Sequence, residues 1–209
     1  MDLMTSLAVI FILLTVAFMN AAAKKQKDFR TAEGNADAVK NEIRDALLEF
    51  NSLGIKVMGD PKDPRNVMVV ILDHVAGFER NSAEIQQSDK LERLNRIFGA
   101  ILKRVCSEKM KPKVERITVE GHTDATGDLL HNYSLSQQRS LFVGKLSMQV
   151  ATTIGSSEAT CLSARLALSG YGPSDPATTD PNPRMIFDPR HQENRRVVLK
   201  IRASSADGA

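Results

Sequence analysis

Residues 119–140, VEGHTDATGDLLHNYSLSQQRS, place an acid and an arginine where they could bind a charged ligand. Asp124 follows a strand-like run, and Arg139 lies 15 residues later in a helix-like run. A carboxylate and a guanidinium at one turn suit a ligand that carries both an ammonium and a carboxylate. Asp124 would take the ammonium, and Arg139 would clamp the carboxylate in bidentate fashion. We expect both side chains to lie on the surface of the folded domain. The same spacing also fits a plain surface or capping salt bridge between the two side chains.

Catalytic and metal chemistry have little support in the sequence. His122 and Asp124 could be two metal ligands, but no HExxH, no CxxC and no third ligand in register accompanies them. The chain also contains no GxSxG elbow, no P-loop and no GxGxxG that opens a helix. The other histidines, at positions 74, 131 and 191, are isolated. We therefore expect no enzyme, no cofactor and no metal.

Composition gives broad limits on the class of protein. The chain has 209 residues, 42% of them hydrophobic and 25% charged, with a net charge of +3. This length allows one domain of common size with additional segments. Basic residues are spread along the chain, aromatic residues make up 5% and tryptophan is absent. Neither a phosphate-tracking patch nor a base-stacking platform is indicated, so we expect no nucleic-acid partner.

The N-terminal region departs from this ordinary composition. Residues 3–23 contain no charge, and 21 helical residues cover about the 30 Å of a bilayer core. A signal peptide ending near NAAA is the alternative, but a basic n-region is missing and Asp2 stands in its place. We therefore favour a transmembrane helix. Basic residues follow this segment, which by the positive-inside rule alone would put the rest of the chain in the cytoplasm: Lys24, Lys25, Lys27 and Arg30.

The next region, residues 24–54, reads as a polar linker followed by an amphipathic helix. From position 36 to 53, apolar residues recur at alternating spacings of three and four, the period of a paired-helix seam: Val39, Ile43, Ala46, Phe50 and Leu53. Two heptads fit a dimer seam and a helix laid against its own domain equally well.

Residues 55–203 alternate strand and helix patterns, which predicts an α+β domain with helices packed on a small mixed sheet. Residues 204–209 form a flexible tail in this interpretation. The predicted strands are 55–57, 67–72, 116–120, 166–170 and 195–201. A helix is predicted over 82–105, and a second near Tyr133, where Ser134 and Gln137 have capping-box spacing.

Four motifs in order resemble the OmpA-like peptidoglycan-binding domain over about residues 66–202: GHTD, N-x-x-LS-x-x-R, GYG-x-x-x-P and NRRV. The resemblance implies a periplasmic β-α-β-α-β domain that grips the diaminopimelate of peptidoglycan stem peptides. It implies that Asp124 and Arg139 hold the two ends of that amino acid. It also implies that Asn132, Leu135, Asn194 and Arg195 shape or line the same pocket. Ser140, where alanine is usual, and a longer loop before NRRV depart from the family pattern away from this grip.

The N-terminal stretch DLMTSLAVIFILL resembles the start of the transmembrane helix in MotB-like stator proteins. The resemblance implies that Asp2 carries ions, and that a homodimer assembles with a MotA-like multi-span partner in the bacterial inner membrane. Members carry a basic cytoplasmic tail before this acid. We therefore expect that the start as printed is truncated or misassigned, since an upstream tail would restore the charge balance.

The resemblance leaves the biological role divided between two kinds of stator and a tether. The compact linker and the DLMTS wording favour the subunit of the Zorya anti-phage system over the flagellar stator. A passive OmpA-like cell-wall tether, without ion transport, is the remaining alternative. A MotA-like multi-span membrane partner is expected only in the first two cases.

Cys106 and Cys161 are the only cysteines of the chain. In the periplasm implied by the resemblance, an even number of cysteines makes a disulfide the first hypothesis. Each cysteine closes a helical stretch before a strand, so both fall at the same end of the predicted sheet. The alternative is that both are reduced and act as small apolar residues in the core.

Overall fold

Five strands form one mixed sheet in the computed structural model, which describes residues 3–79, 81–177 and 192–204. The strands are β1 (Lys56–Gly59), β2 (Asn66–Leu72), β3 (Val114–His122), β4 (Leu166–Gly172) and β5 (Arg196–Ala203). Their order across the sheet is β1-β2-β5-β3-β4. All neighbours are antiparallel except β3 and β4, which are parallel. The last strand of the chain therefore lies at the centre of the sheet.

Helices cover one face of this sheet and bury its apolar side chains. They are α1 (Leu3–Leu47), α2 (Asp73–Ala76), α3 (Ser88–Val105), α4 (Leu129–Ile154) and α5 (Ser156–Ser163). Alternate residues of β5 point into the core that these helices cover, among them Val197, Leu199 and Ile201. The arrangement confirms the expected α+β class, with helices on a small mixed sheet.

The first helix joins an apolar segment to the core without a break. Its stretch Leu7–Asp28 is long and apolar enough to cross a membrane, and none of that stretch is buried against the rest of the chain. Further along α1, Ile43 and Leu47 are buried in the core, as is Phe50 in the 3₁₀ helix Leu48–Leu53 that follows. Of the two interpretations of the amphipathic stretch, the structure has the helix packed on its own domain.

Two glycines let α4 approach the sheet closely. A Cβ atom at Gly121 would lie 2.0 Å from the backbone oxygen of Ser136, and one at Gly170 would lie 2.5 Å from the backbone nitrogen of Gln137. No side chain fits at either position without moving the helix. This close contact between α4 and strands β3 and β4 fixes the height at which Arg139, one turn further along α4, reaches the end of the sheet.

Two predicted helix starts are wrong. The helix predicted from residue 82 begins at Ser88, because the Ser82 hydroxyl and the backbone of Glu84 bond to each other in a turn. The helix predicted to start near Tyr133 begins at Leu129. Its cap is Asp128, whose carboxylate accepts the backbone N–H of His131 at 2.8 Å, so the expected Ser134–Gln137 capping box does not form.

A disulfide joins the ends of two helices. Cys106 follows α3 and Cys161 lies in α5; their Cα atoms are 5.9 Å apart, and both side chains are buried. This separation lies in the range that a disulfide spans without backbone movement. The bond ties α3 to α5 on the helical layer, at the end of the sheet where β3 begins.

We expect the disulfide to form in the exported protein and to stabilise it substantially. Closing a loop with a sequence separation of 55 residues contributes about 4 kcal/mol in the chain-entropy model. Cys106→Ala with Cys161→Ala should therefore lower the free energy of unfolding by up to that amount in urea titrations of the detergent-solubilised chain. Wild-type protein unfolded in reductant is the control, and two alkylatable thiols in denatured, unreduced wild-type protein would contradict the prediction.

Candidate functional site

The end of the sheet opposite the disulfide brings together four charged residues from distant parts of the sequence. The ladders place Arg196 beside both Leu72 of β2 and His122 of β3. Asp73 follows β2, Asp124 lies just beyond β3 and Arg195 precedes β5, so the three meet where their strands end or begin. Arg139 reaches the same place from α4.

Arg139 is buried and its guanidinium is already bound within the protein. Nη1 lies 3.1 Å from the Asp73 carboxylate, Nε donates to the Ser82 carbonyl at 3.0 Å, and Nη2 donates to the Glu79 carbonyl at 3.2 Å. The guanidinium carbon also lies 5.0 Å from the centre of the Phe78 ring. Only 1% of the residue is exposed. The expectation that Arg139 lies on the surface is wrong, because Asp73, Glu79 and Ser82 enclose its guanidinium.

Asp73 is a site residue that the sequence did not reveal. It accepts from Arg139, and its Oδ2 lies 3.7 Å from Nε of Arg195. Burial raises the pKa of Asp73, and the two arginines only partly offset this effect. Burial likewise lowers the pKa of Arg139, with Asp73 acting against the shift. The two groups form a buried ion pair that depends on both partners being present.

Asp124 pairs with Arg195 rather than with Arg139. Its Oδ2 lies 3.1 Å from Nη1 of Arg195, and its Oδ1 accepts the backbone N–H of Thr126 at 3.0 Å as well as the Thr126 hydroxyl. Asp124 is 6% exposed, so the expectation that it lies on the surface is wrong. Asp124 therefore pairs with Arg195 instead of forming the salt bridge with Arg139 that the sequence allowed.

A cavity of about 230 Å³ opens beside these charges. Its lining includes Asn132 and Leu135, and Asn132 donates to the Thr126 carbonyl at 2.9 Å. Asn194 has a different position: its side-chain oxygen accepts the backbone N–H of Ala177 and so ties down a loop. The remaining lining residues are Asn81, Thr123, Asp124, Thr126, Gly127, Arg139 and Arg195.

Asn81, which lines the cavity, is a second site residue that sequence reasoning missed. Its φ is 57°, in the left-handed region, which asparagine tolerates better than most residues. The carbonyls of Glu79 and Ser82 on either side of it are the ones that Arg139 holds. The wall of the cavity is thus fixed by a side chain from another element. Neither Asp73 nor Asn81 lies in a motif that could have marked it.

A second polar cluster lies under the opposite face of the sheet, around His122. Nε2 of His122 is 3.5 Å from Glu120, Nδ1 is 3.9 Å from Asp175, and the ring stacks on Tyr171 with centroids 5.3 Å apart. The three ligand-type side chains are close enough together for a metal ion. Cations already neutralise the two carboxylates, however: Lys200 lies 3.1 Å from Glu120, and Arg196 and Lys62 contact Asp175.

Burial, more than the surrounding charges, favours a neutral His122. Burial lowers its pKa, against the opposing effect of Glu120 and Asp175, and Arg196 lowers it further. For Asp175, burial acts to raise the pKa, but Lys62, His122 and Arg196 together bring it below its usual value. Neither ring nitrogen of His122 has a hydrogen-bond partner within the described part of the chain. Because Lys200, Arg196 and Lys62 already neutralise the two carboxylates, we interpret the cluster as a buried charged cluster, not as a metal centre.

Comparisons with solved structures identify the fold. A putative MotB-like protein from Desulfovibrio vulgaris superposes with a TM-score of 0.53 at 17% identity, over 83% of this chain and 99% of that one. The periplasmic domain of Helicobacter pylori MotB superposes with a TM-score of 0.50 at 19% identity, over 73% and 90% of the two chains. Another periplasmic domain of MotB gives 0.50 at 20% identity, over 74% and 70%.

The sequence itself matches no model of a protein family and no curated protein. At these identities, the superpositions show a shared fold, that of the MotB periplasmic domain. The fold is therefore the one implied by the resemblance in the sequence, and the names of these neighbours describe no enzyme.

The buried His122 should make stability depend on pH. Because folding lowers its pKa below 6.5, the unfolded chain binds the proton more readily, and stability is lost as pH falls below that value. We expect the free energy of unfolding to decrease between about pH 6.5 and 5, a range near the ordinary histidine pKa. His122→Gln should flatten this dependence.

The matched control is His131→Gln, which alters an exposed histidine and should leave the slope unchanged. Urea titrations at several pH values measure both variants. An identical slope in wild type and His122→Gln would show that other groups cause the dependence.

Proposed function

We propose that this chain is a single-pass inner-membrane protein that anchors a MotB-like stator complex to peptidoglycan. The observation that carries the proposal is the cavity at the sheet end, where Asp124, Arg139 and Arg195 converge with Asn132 and Leu135. With Asp73 beside it, the site holds two carboxylates and two guanidinium groups, so it is neutral overall but strongly polar. Such a site suits a ligand group that carries one positive and one negative charge, such as the α-amino and α-carboxyl groups of diaminopimelate.

The position of the cavity relative to α1 supports wall binding. Glu42 of α1 lies 3.2 Å from Lys109 and also pairs with Lys113, immediately before β3. The cavity lies beyond the other end of β3. Glu42 lies fourteen positions beyond Asp28, the end of the apolar stretch, which in a helix is about 21 Å. The nine residues of β3 span about a further 27 Å. The cavity thus faces away from the membrane that the apolar stretch would enter.

We further propose that the complex is ion-driven, with Asp2 as the ion-carrying group. Asp2 lies outside the residues that the structure describes, so this part of the proposal rests on its place directly before the apolar segment. An acid at a membrane segment usually has a functional reason. A MotA-like multi-span partner and a homodimer belong to the same proposal. Within it we favour a Zorya-type anti-phage complex over a flagellar stator.

A passive cell-wall tether is the alternative function. The cavity and the apolar helix suffice for it, and it needs neither Asp2 nor a multi-span partner. Wall binding is common to both functions, so it is tested first, and ion transfer is tested second.

Wall binding should depend on the charge of Asp124. Asp124→Asn keeps the size of the side chain but removes the negative charge available to an ammonium, so we expect co-sedimentation with diaminopimelate-type peptidoglycan sacculi to be lost. Asp45→Asn, an exposed acid on α1, is the matched control and should sediment as wild type does. Circular dichroism confirms that both variants are folded. Sedimentation of Asp124→Asn at wild-type levels would remove this residue from the site.

Ion transfer should depend on Asp2. Asp2→Asn keeps the shape but cannot titrate, so we expect loss of the biological activity, measured as phage protection or motility, with normal membrane insertion and partner co-purification. Asp2→Glu, which retains a carboxyl group, is the control and should keep part of the activity. A fully active Asp2→Asn variant would reduce the protein to a tether.

A further inference from the structure

We propose that Lys24, Lys25 and Lys27 of α1, together called the basic collar, bind the phosphate groups of anionic phospholipids at the membrane surface. The inference rests on the proposed single-pass orientation, and it assigns a ligand to a part of α1 that wall binding does not use. That ligand is the headgroup layer of the leaflet through which α1 leaves the membrane, on the side of the folded domain.

The basic collar lies at the depth of the lipid headgroups. Residues 3–23 carry no charge and cover about the 30 Å of a bilayer core. Because a helix rises about 1.5 Å per residue, Lys24, Lys25 and Lys27 fall within about the next 6 Å, which is the headgroup layer. The helix has not yet reached the domain at this point, since Ala36 is the first buried residue among the α1 side chains that the structure describes.

The charges of the basic collar are open to a ligand, in contrast to those further along the chain. Its three side chains are exposed, and none has an ion-pair partner within the described residues. Every charged side chain from residue 37 to 49 does form an ion pair: Asp37 with Lys40, Glu42 with Lys109 and Lys113, Arg44 with Asp45, and Glu49 with Arg104. The domain therefore neutralises the later charges of this region and leaves those of the collar free.

The basic collar occupies a broad arc on one side of α1. At about 100° per residue, Lys24 lies about 60° from Lys27, and Lys25 lies about a further 100° round the helix. Asp28 falls within this arc, so three lysines and one aspartate give it a net charge of +2. A single neighbouring helix contacts a narrower stripe than this. The arc therefore fits a layer of mobile headgroups better than the acidic side chains of one partner helix.

Lysine side chains have the chemistry that such a layer requires. Each ammonium carries three N–H donors on a flexible four-carbon stem, so it can reach a phosphate oxygen while the stem stays against the acyl chains. A zwitterionic headgroup offers the same phosphate but offsets it with its own cation, whereas an anionic headgroup does not. Lipid binding also gives a reason for basic residues at a place where the positive-inside rule opposes the proposed orientation.

Lipid titrations of the full-length chain test the basic collar. Detergent-solubilised protein is titrated with phosphatidylglycerol and, separately, with phosphatidylcholine, and native mass spectrometry counts the bound lipids. We expect phosphatidylglycerol to bind at least about tenfold more tightly, since each lysine near an anionic surface adds about fivefold. Millimolar inorganic phosphate should not displace it, because the free ion has no acyl chain to lie beside the helix. Displacement by inorganic phosphate would overturn the inference, since the site would then recognise the ion and not the membrane.

Variants at the three positions separate charge from other effects. Lys24→Gln with Lys25→Gln and Lys27→Gln should bring the two lipid affinities within about threefold of each other. The corresponding triple substitution to arginine keeps the charge and should keep the preference. The matched control replaces with glutamine three exposed lysines of the domain that also lack an ion-pair partner in the described part of the chain: Lys56, Lys103 and Lys145. This control should bind both lipids as wild type does.

The outcomes keep this inference separate from the proposed function. An unchanged lipid preference in the triple glutamine variant of the collar overturns the inference, as does a preference lost in the arginine variant or in the control. Loss of a co-purifying multi-span partner at an unchanged preference assigns the collar to that partner instead. Sacculi should sediment all variants equally, so these results leave wall anchoring in place. A wild-type chain that alkaline carbonate extracts from membranes overturns the proposed function, and the inference with it.

Discussion

The buried pair between Arg139 and Asp73 is the interaction on which the site depends. One guanidinium connects α4, the end of β2 and the backbone carbonyls of Glu79 and Ser82. Removing one partner of such a pair typically costs about 3–5 kcal/mol, because the other charge stays buried without compensation. The pair sits at the right height only because Gly121 and Gly170 let α4 lie directly on the sheet. The geometry of the site therefore depends directly on how the domain packs.

Much of the fold could be predicted from the sequence, because its signals are local. Alternation in RITVE and RRVVLKI marks β3 and β5, GHTD marks the end of β3, and NRRV marks the start of β5. The residues at which helices begin were harder to predict from the sequence. The turn before α3 depends on the Ser82 hydroxyl and on a carbonyl held by Arg139, and that arginine lies far along the chain. A capping pattern read inside α4 was overruled by Asp128, which begins the helix a turn earlier.

The site could be predicted only in part, for a topological reason. Asp124 and Asn132 belong to one local motif, and the structure keeps them together. The pairing of arginines with acids is decided by β5, which enters the sheet last and lies between β2 and β3. That insertion brings Arg195 to Asp124 and leaves Arg139 to Asp73. Spacing along the sequence carries no information about such an exchange of partners, and no motif contains Asp73. The polar network around His122 was missed similarly, since Asp175 and Lys200 come from other segments.

The unbroken course of α1 has a mechanical consequence. A helix that continues from an apolar stretch into a packed core transmits torsion and tension between them, because it contains no loop to absorb rotation. Its support is uneven, however: Gly34 has no atom near the position of a Cβ, while Ala36 is the first buried residue among the α1 side chains that the structure describes. Glycine in a helix is about 1 kcal/mol less favourable than alanine. Under mechanical load, α1 would bend first just before the point where it enters the domain.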